Sequence, residues 1–157
     1  MDNSHLENLK EKMIGVWRLV SSEFRTSRGD VIYPLGENAQ GQLIFTRAGY
    51  MSGQLMRPDR PFFRASDQSA GTDEEIKAAF EGFVSYYGPY EIDLILNKVI
   101  TQVEGSLYPN WVGDVQERFF EFSDDRLILK TLPIRLGTEE LVGILVWAPK
   151  TKDASHV

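Results

Sequence analysis

An antiparallel up-and-down β-barrel of eight or nine strands with one inserted α-helix is the all-β fold this sequence predicts. Three observations carry it. Apolar residues recur mostly at every second position, the apolar runs are joined by short turns, and a single capped helical pattern separates the early runs from the late ones. At 157 residues the chain, 1–157, is one domain able to bury about 70% of its unfolded surface around one core, with the barrel over about residues 14–148 and polar termini.

The elements follow in order. Residues 14–24, Ile14-Gly15-Val16-Trp17 to Phe24, alternate as a long first strand, and 31–33 resume after the turn Ser27-Arg28-Gly29-Asp30. Residues 42–46 and 50–56 flank Arg47-Ala48-Gly49 as a hairpin. From Thr72 to Val84 the period changes: Thr72 with Glu75 three residues on forms a capping box, and Ile76, Ala79, Phe80 and Phe83 share one helical face. Strands are then expected over 90–96, 99–107, 115–122, 126–132 and 140–147. No repeat or linker interrupts them.

Composition excludes several classes of function. With 42% hydrophobic and 25% charged residues the chain is of globular type, and a formal charge of -6 opposes counterion-release binding to nucleic acid. The first ten residues place acids where a signal peptide needs a basic flank and an apolar run, and no stretch approaches the ~18 apolar residues of a membrane span. A cytoplasmic protein with neither a nucleic-acid nor a membrane partner is expected. There is no cysteine, and the two histidines, His5 and His156, sit in terminal segments expected to fray. Thiolate zinc, cysteine nucleophiles and histidine triads lose their usual residues, so no metal and no cofactor are expected. Any chemistry falls to carboxylates, Tyr, Lys, Arg, Ser and amides.

Register decides which polar groups enter the barrel, because a one-residue slip reverses every side chain. Setting Ser106 opposite Gln116 puts Glu104 opposite Arg118 and Gln102 opposite Phe120. A tight loop at Ser123-Asp124-Asp125-Arg126 then sets Phe122 against Leu127, Phe120 against Leu129 and Arg118 against Thr131. The inner face on this register carries Gln102, Glu104, Ser106, Gln116 and Arg118 among Phe120, Phe122, Leu127 and Leu129. Two readings of Glu104 and Arg118 stand: a polar binding cluster in an apolar cup, or a cross-strand ion pair that only satisfies itself. Trp17 and Trp147 likewise serve as barrel-floor packing or as ligand walls.

Several segments resemble a known family. Gly15-Val16-Trp17 resembles the Gly-x-Trp signature opening the first strand of lipocalins. Val31-Ile32-Tyr33-Pro34-Leu35-Gly36, residues 49–61 from Gly49-Tyr50-Met51-Ser52-Gly53-Gln54 to Pro61, and residues 103–113 from Val103-Glu104-Gly105-Ser106 to Gly113 are more specific. Together they look like the single-domain lipocalin-like family of bacteria and fungi, over about residues 14–147. The resemblance implies a calycin-type barrel, open at one end, with the inserted helix near the mouth. Relatives and structural analogues in natural-product pathways include cofactor-free cyclases, among them Diels–Alder and hetero-Diels–Alder pericyclases. Where many members carry a histidine two residues before the glutamate, this chain has Gln102, a hydrogen-bonding amide without proton-transfer capacity.

Two functions follow from that resemblance. A cofactor-independent cyclase or isomerase would act on an apolar, oxygenated polyketide or terpenoid intermediate by confinement and hydrogen bonding, with Glu104 as acid or base, Arg118 holding a developing anion, and Gln102, Gln116 and Tyr90 orienting substrate. A carrier would bind the same molecule unchanged. Either way Trp17, Tyr50, Ser52, Gln54, Ser106, Gln116, Phe120, Leu129 and Trp147 are the expected ligand contacts. The expected partner is a small hydrophobic oxygenated molecule, and a homodimer is compatible with the sequence.

Overall fold

The computed structural model describes residues 3–152, the Leu136 side chain excepted. Its strands are β1 (Gly15–Thr26), β2 (Val31–Ile32), β3 (Gln40–Phe45), β4 (Tyr50–Met56), β5 (Phe83–Asp93), β6 (Lys98–Gln102), β7 (Gly105–Ser106), β8 (Val115–Ser123), β9 (Arg126–Thr131), β10 (Ile134–Leu136) and β11 (Glu139–Pro149). Eight of them, β1-β3-β4-β5-β6-β8-β9-β11, form an antiparallel wall that closes because β11 also pairs with β1, from Trp17↔Pro149 to Thr26↔Leu141. Closure removes the exposed edges that an open sheet would leave. The short β2, β7 and β10 lie beside this ring at one end. The expected all-β antiparallel barrel with a helix between early and late strands is what forms.

The interior is built from alternate residues. Trp17 and Leu19 of β1, Leu43 and Phe45 of β3, Met51 and Leu55 of β4, Val99 of β6, Phe120 of β8, Leu127 and Leu129 of β9 and Trp147 of β11 are buried in one cluster. A register shift between Leu19 and Ser21 lets β1 bury Leu19 and then Ser22, which coils the strand around the ring.

The two ends differ because of two helices. Helix α1 (Asn3–Met13) packs over the end where β1 starts: Met13 is fully buried, Leu9 lies against the core, and the Trp17 Nε1–H donates to the Met13 carbonyl at 2.9 Å. Lys12 Nζ sits 5.4 Å from the Phe122 ring centroid, and Glu11 pairs with Arg47 of the β3–β4 turn. The polar N-terminal segment was expected to fray, so α1 and His5 within it correct that expectation; His156 lies outside the described residues. The helix forms by docking Leu9 and Met13, with Leu6 partly buried on the same side, since its other positions are polar and an isolated helix of this length is marginal in water.

Helix α2 (Asp73–Glu81) has the expected capping box. The Thr72 hydroxyl accepts the Glu75 N–H at 3.2 Å and the Glu75 carboxylate accepts the Thr72 N–H at 2.9 Å. It stops at Gly82, before the expected 84, because Phe83 and Val84 enter β5 opposite Met56 and Leu55. Since α2 spans the β4–β5 connection, it stands at the end opposite α1, which is the mouth. Among the described residues no helix is long and apolar enough to cross a membrane.

Glu75 also accepts the Arg64 N–H at 2.8 Å, so one carboxylate ties the Pro-bearing loop to the helix start. Hydrogen bonds from the Thr72 and then the Arg64 backbone hold its carboxyl below the usual range. A lowered folded value gives stability that is present above the unfolded carboxyl range and lost as pH falls through the folded value. Glu75→Gln is therefore expected to flatten the acid limb of a melting-temperature profile, and superimposable limbs would show that Glu75 is not linked to folding.

Candidate functional site

Strands β8 and β9 pair as the sequence predicts: Arg118↔Thr131, Phe120↔Leu129 and Phe122↔Leu127. Phe120, Leu127, Leu129 and Thr131 are buried, so Gln116, Arg118, Phe120 and Phe122 face inward. The pairing of β8 with β6 differs from expectation. Arg118 stands opposite Val99 and Gln116 opposite Thr101, five residues away from the expected Glu104 and Ser106. An odd slip exchanges faces. Thr101 and Val103 are buried, while Gln102 and Glu104 are exposed on the outer wall, and the expected Glu104–Arg118 pair does not form.

The slip originates in the connection. After Gln102 the chain leaves β6, the Glu104 N–H donates to the Tyr87 carbonyl, and β7 pairs with β5 instead, Tyr86↔Ser106 and Tyr87↔Gly105. Ser106 thus shares the inner face with Tyr86. The rest of the loop is closed by two bonds, Val103 N–H to Asp114 O and Gly113 N–H to Val103 O, both 2.9 Å. This places the turn Pro109–Trp111 at the mouth.

Tyr86 is the hub of the resulting cluster. The Arg118 guanidinium carbon lies 5.9 Å from its ring centroid, and the Trp111 ring meets it edge-on at 5.8 Å and 88°. Tyr108 in turn packs on Trp111 at 5.8 Å. Arg118 donates through Nη1 to the Glu117 carbonyl at 2.9 Å and through Nη2 to Gln116 Oε1 at 3.1 Å. Among the described residues no carboxylate pairs with it, and alternation along β5, β6, β8 and β9 puts no Asp or Glu on the inner face of these strands; the one acid of inward parity, Glu139, is exposed at the very start of β11. Ser106 Oγ and Trp147 Nε1 are buried on this face without a hydrogen-bond partner, where buried polar groups normally have one. A cavity of about 200 Å³ opens beside the cluster, between α2 and Trp111, lined by Phe80, Phe83, Val84, Ser85, Leu107, Tyr108 and Trp111 and by Glu81, which pairs with Lys77 at 3.9 Å.

The other expected contacts divide by face. Phe120, Leu129 and Trp147 point inward and are buried in the core. Trp17 is inward too, but it belongs to the closed end through its bond to Met13. Tyr90 faces inward at that same end: its ring packs on Phe45 at 5.0 Å and its hydroxyl donates to the Thr46 carbonyl at 2.9 Å. Burial pushes the Tyr90 phenol up, which keeps this donor protonated. Tyr50, Ser52 and Gln54 alternate with buried Met51, Gly53 and Leu55, so they lie on the outer wall and not in the barrel. Gln54 there lines a groove of about 520 Å³ with Arg18, Gln42, Met56, Phe83 and Lys150.

Tyr86 is the residue that sequence reasoning missed. The alternation Val84, Tyr86, Gly88, Tyr90, Ile92 was available, but Gly88-Pro89 resembles a break and hides a strand running from Phe83.

A closed eight-stranded antiparallel barrel, plugged at one end and polar near the other, defines a calycin-type binding fold. A model of the lipocalin-like domain matches residues 14–149, and the chain belongs to that family. The 4'-hydroxy-3'-methoxypropiophenone carrier protein of Aspergillus oryzae is 35% identical over 104 residues, covering 62% of this chain and 94% of its own. A solved structure of the REP1-NXSQ fatty acid transporter aligns over 91% of this chain and 99% of that chain, at 11% identity and a TM-score of 0.41.

Proposed function

We propose that this protein is a cytoplasmic carrier of small oxygenated aromatic molecules, held near the barrel mouth by Arg118, Tyr86, Ser106 and Trp111. The observation behind this reading is an inward guanidinium that, among the described residues, no carboxylate pairs with, between strands β6 and β9 that carry no acid on their inner faces. Aromatic walls with a few fixed donors are the composition of a small-molecule site. The similarity to a carrier of a phenolic propiophenone supports an aryl ketone as the ligand class. Glu104, the expected acid or base, is exposed outside the barrel, so it does not support the cyclase reading. A cofactor-free cyclase remains the second reading, favoured by Arg118, which could polarise a carbonyl while the aromatic rings confine the reacting ends.

The experiment is a titration with 4'-hydroxy-3'-methoxypropiophenone, followed by tryptophan fluorescence and by chemical analysis of the recovered ligand. Saturable quenching through Trp111 with unchanged ligand is expected. Glu104→Gln should keep wild-type affinity within about twofold and its melting temperature, because substitutions at exposed sites are usually near-neutral. Absence of binding, or conversion that Glu104→Gln slows, would overturn the carrier reading.

A further inference from the structure

We infer that the barrel binds its ligand as an anion, a phenolate seated against Arg118, and discriminates against the neutral or O-alkylated form. The inference rests on the carrier reading and adds the charge state of what is carried. The groups near Tyr86 with hydrogen-bonding capacity to spare can donate: the Arg118 guanidinium only donates, and the Ser106 hydroxyl donates or accepts. Arg118 uses Nη1 and Nη2 for one bond each, to an uncharged carbonyl and an amide oxygen, leaving the rest of a five-donor fork. Ser106 Oγ, opposite Tyr86, is a buried hydroxyl without a partner.

The groups packed around Arg118 leave its charge uncompensated. Val99 faces it from β6 and Thr131 from β9, neither titratable, while the Thr131 hydroxyl already accepts the Gly143 N–H at 2.9 Å. Gln116 flanks it on β8, and Glu117 and Glu121 of that strand point outward toward Lys98 and Lys130. From β5 the facing group is the Tyr86 phenol. In the mouth loop Asp114 is exposed and accepts the Val115 N–H at 2.8 Å. The overall charge of -6 acts against an anion from a distance, but exposed charges beyond about 8 Å are largely screened at physiological salt. The nearby guanidinium, half-buried on an aromatic ring, therefore decides the sign of the site.

The test compares 4'-hydroxy-3'-methoxypropiophenone with its 4'-O-methyl ether by titration across pH, together with the absorption spectrum of the bound phenol. Expected is an apparent affinity rising about tenfold per pH unit up to the free phenol's own ionisation and level above it. The bound ligand should show the phenolate band at a pH where the free ligand does not, and the ether should bind at least about tenfold more weakly. Arg118→Gln should flatten the pH profile and abolish the band, with Arg118→Lys restoring both in part. Wild-type binding that is pH-independent, spectroscopically neutral and equal for phenol and ether would overturn the anionic site while leaving the carrier. Failure of both compounds to bind would overturn the carrier reading and this inference with it. The wild-type profile requires no variant to fold.

Discussion

Trp17→Ala is expected to destabilise the protein by about 3–5 kcal/mol, the usual range for truncating a buried tryptophan. Trp17 is 6% exposed, lies among Leu43, Phe45 and Met13, and its ring is 6.4 Å from Phe122. The indole is also the hydrogen-bonded link to α1, through its N–H to the Met13 carbonyl. Removing it opens a cavity under the helix and leaves that buried carbonyl without its donor, so the plug should loosen before the barrel does. Chemical denaturation reads the total, and hydrogen exchange at the amides of residues 3–13 reads the undocking. Trp17→Phe separates the contributions: it keeps most of the burial and loses the bond, and should cost about 1–2 kcal/mol. Wild-type exchange in α1 of Trp17→Ala would show that the helix is held by other contacts.

What could be foreseen from the chain depended on how far apart the pairing residues are. The β8–β9 register follows from a two-residue turn, Asp124-Asp125, with Asp124 at φ 55°, and it came out as expected. The β3–β4 hairpin is fixed in the same way by a tight turn ending at Gly49, φ 95°. Helix α2 announced itself through Thr72 and Glu75, a purely local signal. The β6–β8 pairing spans a connection that holds β7 and the Pro109–Trp111 turn, so no local rule sets its register. The five-residue slip there moved Gln102 and Glu104 out of the barrel while leaving Arg118 and Gln116 inside. Assigning Tyr50, Ser52 and Gln54 to the cavity was an error of parity, since the apolar partners in that strand are Met51 and Leu55. Helix α1 left little trace, because its stability comes from the barrel it covers rather than from its own residues.

Gly88→Ala is expected to cost about 3 kcal/mol or more, at the upper end for overpacking, and to abolish ligand binding at the mouth. A Cβ on Gly88 would stand 1.8 Å from the Gln102 carbonyl oxygen, 2.9 Å from its carbon and 3.2 Å from the Glu104 nitrogen. These are backbone atoms, so no side-chain rotation relieves the clash and the two segments must separate. Separation strains the bonds from Glu104 N–H to Tyr87 O, 2.9 Å, and from Leu107 N–H to Ser85 O, 3.1 Å. Those bonds hold Ser106 beside Tyr86 and carry Trp111 onto the Tyr86 ring, so a defect at Gly88 reaches the site without touching it. Gly49→Ala is the contrasting variant: its φ of 95° disfavours a side chain, but nothing lies within 4 Å of the added atom. That substitution should cost about 1–2 kcal/mol through backbone strain alone and leave binding intact once folded. Equal melting temperatures for the two variants, or quenching by ligand that survives in Gly88→Ala, would show that the crossing of β5 with residues 102–104 does not position the site.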